Sequence, residues 1–106
     1  MWRKGVVMYV RTIVADLVPG KAHEAVRIFR DEIVPVIRQQ PGYVSTSIYI
    51  DPDHGQAQTV SCWQSKEAMD STSEGSIYLS EVVGLLRGCL VNRSYDAWEV
   101  GFTDSV

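Results

Sequence analysis

Trp63 and Arg11 are the residues whose types and placement raise a chemical question. Trp63 closes the run Thr59-Val60-Ser61-Cys62-Trp63. Side chains alternate along a strand, so Thr59, Ser61 and Trp63 share one face. Arg11 lies within Val6–Ala15 (VVMYVRTIVA), between Val10 and Thr12, on the face that also carries Tyr9 and Ile13. A large ring and a guanidinium on neighbouring strands suit a flat, electron-rich aromatic guest. Trp63 and Ile13 would pack against its ring. Arg11, Tyr9 or Thr59 would lower the pKa of a phenol by charge and hydrogen bonding. Once ionised, a phenol or quinol can pass an electron to dioxygen itself. Each residue also has a plainer reading: Trp63 as core filler, and Arg11 as the partner of a carboxylate at the sheet edge or across a dimer. Tyr9, Tyr49, Tyr78 and Tyr95 would pack with their hydroxyls at the rim. Among these phenols Tyr78 joins Tyr9 as a pocket candidate. Arg93 alternates with Val91 and Tyr95 and reads as an interface ion pair.

The remaining reactive side chains offer less. His23 and His54 form no cluster with cysteines or carboxylates, so no metal site is expected. Cys62 alternates away from Trp63 and has no histidine nearby in sequence, which fits an inert thiol. No glycine-rich phosphate loop, nucleophile elbow or zinc-protease signature occurs, and no cofactor motif of any kind. The 106 residues carry a net charge of −3, which argues against nucleic-acid binding. The longest apolar stretch, Val6 to Val18, is broken by Arg11 and Asp16 and fits neither a membrane span nor a signal sequence. The two cysteines, Cys62 and Cys89, form no CxxC pair and read as free thiols of a cytoplasmic protein, with one disulfide between them as the alternative.

The elements that must position these residues follow from periodicity. Val6–Ala15 is a strand, apolar on both faces and therefore covered on both. After the turn at Val18-Pro19-Gly20, Ala22, Ala25, Val26, Phe29, Ile33, Val36 and Ile37 mark the buried side of a long helix. Arg27 and Asp31 form an i,i+4 pair on its wet side, and Pro35 kinks its last turns. Tyr43–Asp51 and Gln56–Trp63 pair as a hairpin about Asp51-Pro52-Asp53-His54-Gly55. Ser65 caps a short helix from Lys66 to Ser73. A second helical stretch, Ser76 to Arg87, buries Ile77, Leu79 or Ser80, Val83 and Leu86 and closes on Gly88. Leu90–Val100 is the last strand. The order β-α-β-β-α-β predicts an α+β, ferredoxin-like fold as one domain over residues 1–106: a four-stranded antiparallel sheet with helices on one face. The other face is free for a twin subunit.

Three motifs occur in order: Val18-Pro19-Gly20-Lys21, Gln40-Pro41-Gly42-Tyr43 and Trp63-Gln64-Ser65-Lys66-Glu67-Ala68. With them the chain resembles the antibiotic biosynthesis monooxygenase domain of the dimeric α+β barrel group, over about Val6 to Val100. The resemblance implies a homodimer whose sheets pack face to face, and a pocket in each subunit with Trp63 in its lining. It implies no cofactor, and a phenolic or quinol-like substrate. The family's cofactor-independent oxygenases place Asn where this chain has Thr59. Its haem-degrading members use a histidine after the Trp and an Asn at the position of Ile13, and this chain has neither, which argues against haem degradation. A non-catalytic ligand-binding or dimerisation domain and a small-molecule isomerase stand as alternatives to an oxygenase.

Overall fold

The computed structural model describes residues 8–73 and 75–106. Strand β1 is Tyr9–Leu17, and helix α1 (Ala22–Ile28) continues through a π turn at Phe29–Ile33 into α2 (Val34–Ile37). Strands β2 (Tyr43–Asp51) and β3 (Gln56–Trp63) form the hairpin. Helices α3 (Lys66–Asp70) and α4 (Ile77–Leu86) then lead to β4 (Leu90–Glu99). The sheet order is β2-β3-β1-β4, with every neighbouring pair antiparallel. This is the expected split βαβ arrangement. The expected start of the first strand at Val6 lies outside the described residues, and the strand runs two residues beyond Ala15.

Local chemistry accounts for the boundaries. In the hairpin, the Asp51 carboxylate accepts from the His54 backbone N–H at 3.3 Å, and Gly55 takes a φ of +64°. Ser65 caps α3 by accepting from Ala68 N–H at 3.1 Å, and Ser76 caps α4 by accepting from Leu79 N–H at 3.0 Å. Gly88 does not end α4 in the left-handed conformation: the helix stops at Leu86, with Arg87 still right-handed at φ −54° and Gly88 at negative φ. The positive φ in this region falls instead on Asn92, at 56°. There the β1–β4 register shifts between Val14 and Asp16, so β4 carries an extra residue. Asn tolerates this conformation, and its amide donates to Asp16 at 3.0 Å.

Upstream of Pro35 the helix departs from the regular α form. The helix widens just upstream into a π turn, where Val34 N–H donates to the Phe29 carbonyl five residues back. The wider turn also re-sorts the wet face. Arg27 pairs with Glu24 (2.6 Å) and with Glu32 (3.3 Å) five residues on, while Asp31 goes to Arg30 at 2.8 Å. The expected Arg27–Asp31 pair is therefore replaced, because an inserted residue rotates Asp31 out of Arg27's reach.

Helices cover one face of the sheet. Ala15, Ala25, Phe29, Ile33, Val82 and Leu86 belong to the main core, and Ile37, Trp63 and Met69 form a second cluster at the other end of the sheet. Within α4 the buried residues are Leu79, Val82 and Leu86, while Ile77 is 87% exposed. Ile77 sits at the first helical position, and Tyr78 takes the inward slot beside it, packing against both clusters. The opposite sheet face carries Val10, Thr12, Val14, Val60 and Cys62, half-buried, and the more open Tyr49 and Trp98, each 57% exposed. No helix among the described residues is long and apolar enough to cross a membrane.

Candidate active site

A narrow cavity of about 50 Å³ lies between the sheet and the helices. Ile13, Ala57 and Thr59 form part of its floor, and Ile33, Val82 and Val83 part of its roof. Strand register explains the floor: Ile13 pairs with Thr59 on one side and with Tyr95 on the other, so their side chains share the helix-covered face. Arg11 pairs in the same way with Ser61 and Ala97. The polar groups that reach the cavity are Arg11, Thr46, Thr59, Ser61, Tyr78, and the Arg93–Tyr95 pair.

Of the six residues singled out in the sequence, the structure brings four together at this cavity: Arg11, Ile13, Thr59 and Tyr78. Trp63 and Tyr9 stand apart. Trp63 is 0% exposed, packed in the second cluster and T-shaped to the Tyr43 ring at 6.0 Å between centroids. Its indole N–H donates to the Ser61 hydroxyl at 3.1 Å, and Ser61 does line the cavity. The tryptophan thus orients a wall residue rather than forming the wall. Tyr9 packs beside this cluster and donates its hydroxyl to Glu99 at 3.3 Å.

Arg11 is 7% exposed and clasps the C-terminal end of α3. One terminal amino group donates to the Thr72 carbonyl (3.0 Å) and hydroxyl (2.8 Å). The other donates to the Met69 carbonyl (2.7 Å) and the Ser73 hydroxyl (2.6 Å). A cation bound to the last carbonyls of a helix satisfies groups that the helix leaves unpaired. Among the described residues no carboxylate lies within ion-pair distance of Arg11. Burial pulls its pKa below the ordinary arginine value, but a guanidinium stays charged at physiological pH. Thr72, which shares this bond network, is wholly buried. It is a positioning residue missed in the sequence: in Ser71-Thr72-Ser73 it reads as part of the polar end of the expected Lys66–Ser73 helix, which in the structure stops at Asp70, and only its distant partner Arg11 distinguishes it.

Tyr78 is a cavity phenol that feels the Arg11 charge. Burial raises its pKa well above the ordinary tyrosine range, with Arg11 pulling the other way and Tyr43 adding to the rise. Its hydroxyl therefore stays protonated at neutral pH and is a hydrogen-bond donor. Neither this hydroxyl nor that of Thr59 bonds to a described residue. Burial also raises the Cys62 thiol, so a thiolate nucleophile is not favoured there. Both cysteines are free. Among the described residues, no three His, Cys, Asp or Glu side chains converge as a metal site would require.

No protein-family model matches the sequence, and no curated protein is significantly similar to it. Solved structures are. The monooxygenase from the ActVA-Orf6 gene of Streptomyces coelicolor, in complex with nanaomycin D, superposes with a TM-score of 0.70 at 17% identity, covering 94% of this chain and 91% of its own. The fold is that of the antibiotic biosynthesis monooxygenases. A mutant of SnoaB, a cofactor-independent oxygenase from Streptomyces nogalater, gives 0.69 at 15% identity over 91% of this chain and 95% of its own. A protein of unknown function from Nitrosomonas europaea gives 0.71 at 9% over 94% and 95%. The antibiotic biosynthesis monooxygenase fold is thus shared by oxygenases and by chains with no assigned activity.

Proposed function

We propose that this protein is a small monooxygenase that oxidises a phenolic or quinol-like aromatic in the cavity between sheet and helices, without metal or flavin, as a cytoplasmic homodimer. The observation that carries this reading is the pairing of an apolar cavity with the Tyr78 and Thr59 hydroxyls beside the Arg11 charge. The SnoaB and ActVA-Orf6 oxygenases of the same fold support it. Two free cysteines suit a reducing compartment.

In this reading the apolar walls exclude water and hold the ring, while Tyr78 and Thr59 donate hydrogen bonds to the substrate oxygen as it ionises. Arg11 adds its charge without direct contact. The phenolate passes one electron to dioxygen, giving an aryloxyl radical and superoxide. These join as a carbon–oxygen bond, and the peroxide loses water to leave a quinone. For 1-naphthol the balance is one naphthol and one O2 in, one 1,4-naphthoquinone and one water out. The ring supplies all the electrons. With about 50 Å³ available, such a ring enters only as the cavity walls give way.

That narrowness, and the commitment of Arg11 to protein partners, favour a second reading: a ligand-binding domain without turnover. Oxygen uptake over a panel of naphthols and naphthalenediols, each against a protein-free control, decides between them. The oxygenase reading expects protein-dependent uptake, one O2 per quinone from 1-naphthol, slowed in Tyr78→Phe. Thermal stabilisation by a phenol without uptake supports the binding domain instead. Product formed under argon indicates an isomerase.

A further inference from the structure

We infer that the cavity takes an aromatic acid, with Arg93 gripping the carboxylate; this extends the ring-binding reading above by naming a second recognised group. Two arginines line the cavity and no aspartate or glutamate does, in a chain whose net charge is −3. The local charge therefore runs against the overall one. Arg11 cannot serve, because its terminal amino groups are spent on α3. Arg93 commits only its Nε–H, to the Tyr95 hydroxyl at 3.1 Å. Its two terminal amino groups bond to no described residue. Anchoring Nε steadies the guanidinium plane and leaves free donors that suit a planar carboxylate.

The backbone places Arg93 there. With strict alternation, Leu90 and Arg93 would fall on opposite faces. The extra residue at Asn92 puts both on the helix-covered side: Leu90 buried in the core, Arg93 exposed and lining the cavity. Bulges are a common device for re-aiming a side chain beside a site. Asp16, opposite the bulge, accepts from Asn92. Asp70 and Asp96 do not line the cavity; they border an adjoining hollow that shares Arg11 and Tyr95 with it. The apolar walls require a ring, and one free guanidinium suits one carboxylate better than a phosphate, which needs more donors.

The test compares 2-naphthoate with 2-naphthamide, which share a shape and differ in charge, by titration calorimetry of the whole chain. The expected result is naphthoate binding tighter on the order of tenfold, with the difference abolished in Arg93→Gln and partly kept in Arg93→Lys, while naphthamide binding stays unchanged. Equal affinities, binding of neither probe, or a preference that survives Arg93→Gln overturns the inference. Loss of dimer mass in Arg93→Gln with unaltered binding would assign the residue to an interface and also overturn it. Naphthoate is not a phenol and is not oxidised, so this result stands apart from the oxygen-uptake test: failed turnover leaves it intact, and failed discrimination leaves the oxygenase reading intact.

Discussion

At the scale of single residues, Arg11 shows how far a side chain's role depends on partners remote in sequence. Its oddity was legible, since an arginine inside a strand covered on both faces must find acceptors. Its acceptors were not, because Met69, Thr72 and Ser73 lie about sixty positions away in what reads as one short helix. The same distance hid Thr72. This geometry predicts that Arg11→Gln destabilises the fold by about 3 kcal/mol, since buried carbonyls and hydroxyls lose their donor. Arg11→Lys keeps the charge but not the fork and retains part of the stability. Urea denaturation checks both; a residue serving only to hold a ligand would leave the midpoint unmoved. Tyr78 gives a prediction in pH. Its folded pKa lies above the unfolded value of 10.0, so its contribution is fully present below pH 10.0 and is lost as pH rises above it, where the unfolded chain ionises first. Tyr78→Phe should flatten the alkaline fall in stability above pH 10.0, read as Tm against pH. In the ultraviolet titration of the native protein, one tyrosine should ionise after the rest, and that step should vanish in Tyr78→Phe.

At the scale of elements, periodicity recovered β2 and β3 to the residue, because the hairpin's turn chemistry fixes both ends. It did less well with the helices, for two physical reasons. A proline set a π turn that shifts helical phase, and a tyrosine with its polar tip displaced the more apolar Ile77 from the core of α4. The joint between β2 and α3 was legible only in part. The sequence Gln40-Pro41-Gly42 marked a helix end but not the closeness of α3. Gly42 has φ +80°, its carbonyl accepts from Gln64 N–H at 2.8 Å, and a Cβ built on it would stand 2.5 Å from the Ala68 Cβ. Gly42→Ala should therefore cost about 2–3 kcal/mol, combining backbone strain with overlap. Ala68→Gly removes the overlap and leaves the strain. In the double mutant about half of the Gly42→Ala penalty should return, giving a favourable coupling energy in denaturation experiments. Full additivity of the two changes would mean that the close approach does not matter.

At the scale of the whole molecule, the sheet face away from the helices decides what the protein is in solution. Val10, Val14, Val60 and Cys62 form an apolar patch flanked by Tyr49 and Trp98, and the Trp98 indole N–H donates to Thr12 at 3.1 Å, holding a large ring on the patch. In a chain of 106 residues an uncovered sheet face of this composition favours a second copy. The alternation of β1, apolar on both sides, already announced a second cover in the sequence, though not its source. A twofold partner would lay Val60, near the sheet centre, against the same region of its twin. The expected mass by light scattering at micromolar concentration is that of a dimer. Val60→Glu would bury a carboxylate without a partner and should weaken association by about two orders of magnitude. Gln56, exposed at the start of the same strand, is the control: Gln56→Glu adds the same charge at the sheet's end and should leave the mass unchanged. Because the cavity lies on the opposite side of the sheet, the monomeric variant should still bind its ring ligand, more weakly only to the extent that the dimer stiffens β1 and β3. A wild type that scatters as a monomer would leave the apolar face unexplained and remove the dimer from the proposal.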